Sequence, residues 1–247
     1  MDTIRQGELY CGMSYDIVIN NGTVIDGVGS PRKRANIGIS DGMISTITED
    51  RIRGKTEIDA SSLIVCPGFI DIHSHSEWIT HLDNHPDIFT PLVLQGVTTF
   101  VGGNCGFSPF PVSEEAEPYI SRNSEFLVGG KPEYHWRTTG EYLDYIEKKG
   151  VFLNVATLVG HNSVRALVLG NDSRAPNEQE LEEMAELTGA ALREGAFGFS
   201  VGLAYTPGVF AEKREIQRLL KTVADHDGLW TFHGHTYSWT SPFFRSI

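Results

Sequence analysis

The sequence predicts an α/β fold, namely the N-terminal part of a (β/α)8 TIM-type barrel with about five strands, preceded by a small antiparallel β-sandwich unit. From residue 66 onward, apolar β-like runs alternate with helical patterns, which is typical of parallel βα units. Before residue 66, two short strand patterns flank Asp41-Gly42, a hairpin signal. A closed barrel needs eight strands and typically about 250 residues of its own. We therefore expect this chain of 247 residues to be the N-terminal part of a longer protein.

The elements divide the chain into three predicted segments. Residues 1–13 are a polar leader, residues 14–65 form the small β unit, and residues 66–247 form the partial barrel. Barrel strands are predicted at 69–72, 98–101, 153–159, 196–201 and 229–232. Helices are predicted over 141–149, 177–194 and 211–227, where aliphatic side chains recur at helical spacing.

Composition and charge restrict the possible partners. The formal net charge of −12 argues against nucleic acid, which requires a basic face. The sequence has no run of about 18 apolar residues and its leader has no apolar signal-peptide core, so we expect no membrane span and a cytoplasmic location. Three scattered cysteines do not make a disulfide framework. A small-molecule partner is expected, and the sequence does not fix the oligomeric state.

The strongest chemical signal follows the first predicted barrel strand. Side chains two apart on an extended strand lie on the same face, so His73 and His75 can point at one metal ion. Imidazole suits Zn, Fe and Ni, and the C-terminal ends of barrel strands carry the chemistry of such folds. The His-x-His pattern alone is a weak signal, because two histidines also pair by chance on exposed strands.

Two further strand ends offer metal ligands. Cys105 follows the second strand and has glycines nearby that leave its thiol uncrowded, although a buried structural cysteine is the alternative. The fifth strand ends in His233 and His235, which repeat the His-x-His pattern. If the first and fifth strands present imidazoles to a common centre, one shared metal site follows. No chemical role is predicted for Cys11 or Cys66.

The remaining strand ends suggest substrate contacts. His161 and Arg165 follow the third strand and could bind a carboxylate or orient a ligand, with a structural histidine as the alternative. Tyr205 follows the fourth strand, where its phenol could donate to a developing oxyanion or could simply pack. That strand has no lysine to serve as a carboxylated bridging ligand. The histidines outside the strand ends are interpreted as surface or loop residues: His81, His85, His135 and His226.

The chain resembles the amidohydrolase superfamily and, within it, the N-acyl-D-amino-acid deacylases (D-aminoacylases). The resemblance rests on residues 67–75, 96–106, 195–205 and 228–233, and extends over roughly residues 14 to 240. The Asn104-Cys105-Gly106 and Gly198-Phe199-Ser200 segments are specific to this branch. The His-x-His strand is shared with the wider superfamily.

The resemblance implies a zinc enzyme made of a barrel and a small β-sandwich built from both chain ends. It implies that His73 and His75 line a weaker metal position and that His233 holds the tight zinc. Cys105 would take the role that a carboxylated lysine has in related enzymes. Tyr205 would help to polarise the scissile carbonyl.

The implied activity is zinc-dependent hydrolysis of the amide bond of N-acyl-D-amino acids, which releases a carboxylate and a D-amino acid. His235 falls where relatives commonly have another residue and is a possible outer-sphere group. The resemblance also implies an aspartate base on the last barrel strand and a further zinc histidine on the sixth. The five predicted strands include neither, so we expect little or no turnover from this chain alone.

Two alternatives remain open from the sequence. One is a cyclic-amide hydrolase of the dihydropyrimidinase kind, against which the missing fourth-strand lysine counts. The other is a non-catalytic truncated fragment that binds at most a metal or a partner through its exposed barrel edge.

Overall fold

The computed structural model describes residues 14–122 and 124–234. The predicted leader and His235 lie outside the described residues. The chain divides into two compact units, one ending at Gly68 and the other beginning at Phe69.

The first unit contains one five-stranded sheet. Its strands are β1 (Tyr15–Val24), β2 (Lys33–Ser40), β3 (Met43–Thr48), β4 (Gly54–Asp59) and β5 (Ile64–Val65). The predicted hairpin is confirmed: Asp41 and Gly42 form a two-residue turn between β2 and β3, with φ angles of 51° and 73°. Positive φ at both turn residues matches the right-handed twist of the flanking strands. The pairing is antiparallel from β1 to β3, whereas β4 and β5 both pair with β1 in parallel, so the sheet is mixed.

The second unit contains the predicted partial barrel. Its strands are β6 (Phe69–Asp71), β7 (Val97–Gly102), β8 (Asn154–Gly160), β9 (Gly198–Gly202) and β10 (Leu229–His233). All pairings are parallel and the spatial order β10-β9-β8-β7-β6 follows the chain order. The helices are α1 (His85–Leu94), α2 (Glu117–Arg122), α3 (Glu125–Val128), α4 (Thr139–Lys149), α5 (His161–Leu169), α6 (Glu178–Arg193) and α7 (Lys213–Asp225). The five-stranded α/β prediction is confirmed.

The first barrel strand differs from its prediction. β6 is only three residues long, one fewer than predicted, and Phe69 and Ile70 are 58% and 60% exposed, so this apolar strand is not buried. β6 has one neighbour, β7, in the described sheet, and β10 has one neighbour, β9. Trp230 on β10 is likewise 51% exposed. Apolar sequence alone does not indicate whether a strand is covered.

The centre of this unit is tightly packed. One apolar cluster joins β8 and β9 to α5, α6 and α7, with Phe199, Met184 and Leu219 fully buried. The N-terminus of α6 carries a capping box, in which Asn177 and Glu180 satisfy each other's backbone N–H groups. This packing holds the central strands rigidly, so the loops at their C-terminal ends have a firm base. Within the described residues no helix is both long and apolar enough to cross a lipid bilayer.

Candidate metal centre

Cys105 lies on a tight turn immediately after β7. The turn passes through positive φ at Gly103 (76°), Cys105 (57°) and Gly106 (81°). This region is unfavourable for a side chain with a Cβ atom, so the cysteine is held there by its surroundings. Glycine is required at 103, because a Cβ atom there would lie 1.9 Å from the carbonyl oxygen of Leu158. The turn leaves Cys105 buried, at 7% exposure.

His73 and His75 approach the thiol from the β6 edge. They do not lie on the strand, which ends at Asp71, so the argument from strand periodicity is wrong. They lie in an irregular segment that is fixed by a hydrogen bond of 3.0 Å from the Ser74 N–H to the Val101 carbonyl oxygen. The ligand atoms of His73, His75 and Cys105 nevertheless lie within 4.8 Å of one another. Tertiary contacts, and not the strand, bring the two imidazoles together.

His233 reaches the same thiol from the other edge of the sheet. Its Nδ1 atom is 3.2 Å from the Sγ atom of Cys105, and Nε2 of His73 is 3.4 Å from the same sulfur. β6 and β10 are opposite edges of the described sheet, so the sheet must be curled for both histidines to touch one residue. Cys105 is therefore the shared centre, with imidazoles on either side.

These donors fit a zinc ion. Tetrahedral zinc with Zn–S near 2.3 Å and Zn–N near 2.0–2.1 Å separates the sulfur and nitrogen atoms by about 3.6 Å. The two sulfur–nitrogen distances at Cys105, 3.2 and 3.4 Å, are slightly shorter and require only a small opening of the cluster. Thiolate and imidazole are also the ligand types that zinc prefers. The chemistry and the spacing of the donors agree.

The surroundings of the cluster shift the pKa values of His233 and His75 in opposite directions. Burial, followed by the charges of His73 and His75, lowers the pKa of His233, which keeps this imidazole neutral and able to bind a metal. The hydrogen bond to Cys105, followed by the interaction with Glu77, raises the pKa of His75 to about 10. Metal binding at His75 therefore releases a proton.

Sequence reasoning missed Glu77, which lies beside the cluster. Its side chain is fully buried, its Oε1 atom is 3.9 Å from Nδ1 of His75, and burial raises the pKa of its carboxyl group. Carboxylates that face a metal-binding imidazole commonly orient the ring. The available signal was its position two residues after the His-x-His pair.

Tyr205 lies next to His233. The centroid of its ring is 4.9 Å from that of His233 and 4.9 Å from that of Phe107. Tyr205 also lines a cavity of about 310 Å³ together with Arg122 and Thr206. The phenol therefore adjoins both the metal ligands and a space for part of a small molecule.

His161 and Arg165 form a separate cluster with a residue that the sequence reasoning missed. Both are fully buried and both bind Glu215: Nε2 of His161 is 2.6 Å from Glu215 Oε1, and Arg165 donates to Glu215 Oε2. Glu215 lies in a helical pattern and gave no sequence signal. The carboxylate partner of these two side chains is thus the protein's own, and a contact with substrate stays a prediction.

Among the histidines interpreted as surface or loop residues, His81 lies in a turn, as predicted, whereas His85 lies in a helix, and both are buried. His81 and His85 are 9% and 4% exposed. His81 packs against Trp136, and His85 begins α1 with its Nδ1 atom 2.7 Å from the Leu82 carbonyl oxygen. Both are core histidines with local partners.

Known proteins resemble the chain over most of its length. It is 34% identical over 220 residues to a D-aminoacylase of Alcaligenes xylosoxydans xylosoxydans, which covers 89% of this chain and 44% of the relative. It is 34% identical over 231 residues to an N-acyl-D-glutamate deacylase of the same organism, which covers 88% of this chain and 43% of the relative. The chain therefore spans less than half the length of these relatives. No family model matches it.

Solved structures agree with this relationship. An N-acyl-D-glutamate deacylase from Bordetella bronchiseptica, complexed with zinc and a phosphonate mimic of the tetrahedral intermediate, superimposes with a TM-score of 0.79 at 34% identity. It covers 91% of this chain, which covers 46% of that structure. A D-aminoacylase structure, described as defining a novel subset of amidohydrolases, gives a TM-score of 0.80 at 30% identity, with coverages of 90% and 46%.

Proposed function

The chain is a homologue of the N-acyl-D-amino-acid deacylases, a group of amidohydrolases, and we propose that its metal centre serves zinc-dependent hydrolysis of the amide bond of N-acyl-D-amino acids. The observation that carries the proposal is the position of Cys105, whose thiol lies 3.2 Å from His233 and 3.4 Å from His73. A thiol that has the ligand atoms of His73 and His75 within 4.8 Å and His233 on its other side is a metal-ligand set that few other functions require.

The proposal assigns a role to each of these side chains. Cys105 lies between two groups of imidazoles, so it is the ligand that both would share. His73 and His75 would hold the metal on the β6 side, and His233 would hold it on the β10 side. When bound, zinc would polarise the amide carbonyl and lower the pKa of water toward ~7.

Tyr205 would orient the substrate. A phenol can donate one hydrogen bond, and the centroid of this ring lies 4.9 Å from that of His233, so its hydroxyl would donate to a carbonyl oxygen held beside the metal. The cavity that Tyr205 shares with Arg122 would receive the group attached to that carbonyl or to the amide nitrogen. A hydrogen-bond donor aimed at the developing oxyanion is worth about 10²–10³ in rate.

We further infer that the 247 residues on their own turn over substrate slowly. The described sheet has two edges, β6 and β10, and both carry exposed apolar side chains such as Ile70 and Trp230. The proposed metal-binding histidines lie at the ends of these same edges. A site placed between two uncovered edges is poorly shielded from water, which weakens every electrostatic contact in it.

Binding of a transition-state mimic tests the proposal without requiring turnover. A phosphonate analogue of N-acetyl-D-methionine, titrated calorimetrically into the zinc-loaded chain, should bind more tightly than its L-enantiomer and should lose affinity when zinc is chelated. Tyr205→Phe should weaken it, because the phenol donor is removed. Binding that is independent of zinc, or equal for both enantiomers, contradicts the proposed function.

A turnover assay then separates the two parts of the proposal. Hydrolysis of N-acetyl-D-methionine is measured with the L-isomer as control and dihydrouracil as the cyclic-amide substrate. We expect little release of D-methionine by this chain. Robust D-selective turnover would contradict the inference of a slow site, while preference for dihydrouracil would favour the cyclic-amide alternative.

A further inference from the structure

A single buried hydroxyl group spans the turn that carries Cys105. Ser200, in the middle of β9, is fully buried. Its Oγ atom accepts a hydrogen bond of 2.9 Å from the Gly106 N–H and donates to the Gly103 carbonyl oxygen. The two backbone groups lie on either side of Cys105. One hydroxyl thus uses its donor and an acceptor site to close the turn.

Ser200 is itself firmly placed. It lies opposite Gly160 of β8 and Thr231 of β10 in the parallel sheet, so its backbone is held from both sides. Thr231 is two residues before His233 on the same strand. The serine therefore fixes the thiol relative to the strand that carries the neighbouring imidazole.

The turn needs such a brace because its conformation is unfavourable. Cys105 has φ of 57°, a region that costs a residue with a Cβ atom roughly 1–3 kcal/mol unless the surroundings enforce it. Asn104 bonds to the Val101 carbonyl oxygen at 3.0 Å, and the Asn162 N–H bonds to the Gly106 carbonyl oxygen at 2.9 Å. Each of these contacts holds one end of the turn. Two bonds span Cys105: the Phe107 N–H donates to the Asn104 carbonyl oxygen at 3.0 Å, and the Ser200 hydroxyl joins Gly103 to Gly106.

We propose that Ser200 is a positioning residue for the metal centre, which holds the Cys105 thiol in bonding range of the imidazoles through hydrogen bonds to Gly103 and Gly106. This inference rests on the proposed zinc site and deepens it. Loss of the hydroxyl frees the turn to relax toward negative φ, which rotates the thiol away from His73 and His233. Outer-shell partners of metal ligands typically contribute 10–100-fold to metal affinity, and we expect a loss of that size.

The test measures metal binding and not activity. Zinc affinity is determined by competition with a chromophoric chelator, and cobalt substitution reports the thiolate through its sulfur-to-cobalt charge-transfer band. Ser200→Ala should lower zinc affinity about 10–100-fold and weaken the charge-transfer band. Cys11→Ser and Cys66→Ser are introduced in all variants so that the band reports Cys105 alone.

Ser163→Ala is the matched control. Ser163 is also a buried serine that holds the same loop, because its Oγ atom accepts from the Ser108 N–H at 3.1 Å and donates to the Ser108 carbonyl oxygen at 2.8 Å. Those contacts lie beyond the Cys105 turn. Ser163→Ala should therefore shift the urea midpoint about as much as Ser200→Ala while leaving zinc affinity and the cobalt band unchanged.

A second pair of variants protects the test against a folding failure. Ser200→Thr and Ser200→Val introduce side chains of the same branched shape. They differ in one branch, which is a hydroxyl in threonine and a methyl group in valine. The threonine variant should bind zinc about 10–100-fold more tightly than the valine variant. Equal zinc affinities of Ser200→Ala and Ser163→Ala, together with equal zinc affinities of Ser200→Thr and Ser200→Val, would overturn the positioning role. The parent protein of these variants keeps Ser200 and lacks Cys11 and Cys66. If this parent binds neither zinc nor cobalt through the Cys105 thiol, the metal centre itself is refuted.

Discussion

Two clusters at the C-terminal ends of neighbouring strands illustrate different uses of the same residue types. Around Cys105, three imidazoles approach a thiol, and no lysine or arginine forms an ion pair with the cluster in the part of the chain that the structure describes. Around Glu215, a histidine and an arginine enclose a carboxylate, and all three side chains are at most 1% exposed. The first cluster sets several side chains of metal-ligand type around one thiol, whereas the second surrounds one carboxylate with its two partners.

The difference indicates how a ligand site can be separated from a structural one. Zinc requires several donors that point at one empty point, which makes the cluster unstable as a purely structural feature. A buried arginine, in contrast, needs a partner of opposite charge at contact distance. Sequence position does not distinguish these cases, because both clusters follow a barrel strand.

Removal of Glu215 should give the largest effect. Glu215→Ala leaves the Arg165 guanidinium buried without its counter-charge, which typically costs about 3–5 kcal/mol of stability. Urea unfolding followed by circular dichroism measures the loss. Glu182→Ala, which breaks the exposed pair with Arg218, is the control and should change the midpoint little. A small effect at Glu215 would remove the contrast between the two clusters.

Removal of Cys105 should act on metal binding and not on the fold. Cys105→Ala deletes the ligand that the imidazoles share, so zinc affinity should fall at least about a hundredfold, or about 2.7 kcal/mol. Metal analysis of the purified proteins and chelator competition measure this loss, while the urea midpoint should change little. Cys66→Ser, at an exposed thiol, is the matched control. Equal zinc content in the Cys105→Ala variant and the parent would reject the cysteine as a ligand.

The pH dependence of the free energy of unfolding should reveal the contribution of ionised Glu215. We expect this effect to be smaller than those of the two alanine substitutions. Burial by itself raises the pKa of Glu215, but the hydrogen bonds and charges of His161 and Arg165 outweigh it, so its pKa lies below 4.5 in the folded protein. The stabilisation is fully present above pH 4.5 and is lost as the pH falls through the lower folded-state pKa.

Glu215→Gln provides the comparison for this dependence. The other carboxyl groups titrate in both proteins, so their contributions largely cancel in the difference in unfolding free energy between parent and variant. That difference should shrink as the pH falls below 4.5. A difference that is independent of pH would show that the charge of Glu215 does not stabilise the fold.

Much of the fold could be predicted because it depends on local patterns. The alternation of apolar runs with helical stripes predicts β7 to β10 and the three longest helices, with bounds that differ by one or two residues. Asp41-Gly42 predicts its hairpin because only a tight turn accepts positive φ at both positions. The exposure of β6 and the parallel pairing of β4 were not predicted, since both depend on which strands become neighbours.

The candidate site was only partly predictable for the same reason. His73, His75, Cys105 and His233 were selected because each follows a strand end. The structure brings the ligand atoms of the first three within 4.8 Å of one another and places Nδ1 of His233 3.2 Å from the Cys105 sulfur. Glu77, Ser200 and Glu215 were missed. Their roles come from contacts with residues far away in the chain, apart from Glu77, whose proximity to the His-x-His pair was a local signal.

By itself, the sequence determined the residue types and their order along the chain: donors suited to zinc at successive strand ends, and glycines where a turn needs them. The tertiary structure alone decided that opposite edges of a curled sheet meet at the Cys105 thiol and that His161 and Arg165 close on Glu215. The physical reason is that periodicity fixes only local direction, whereas convergence of side chains depends on sheet curvature and on long-range packing.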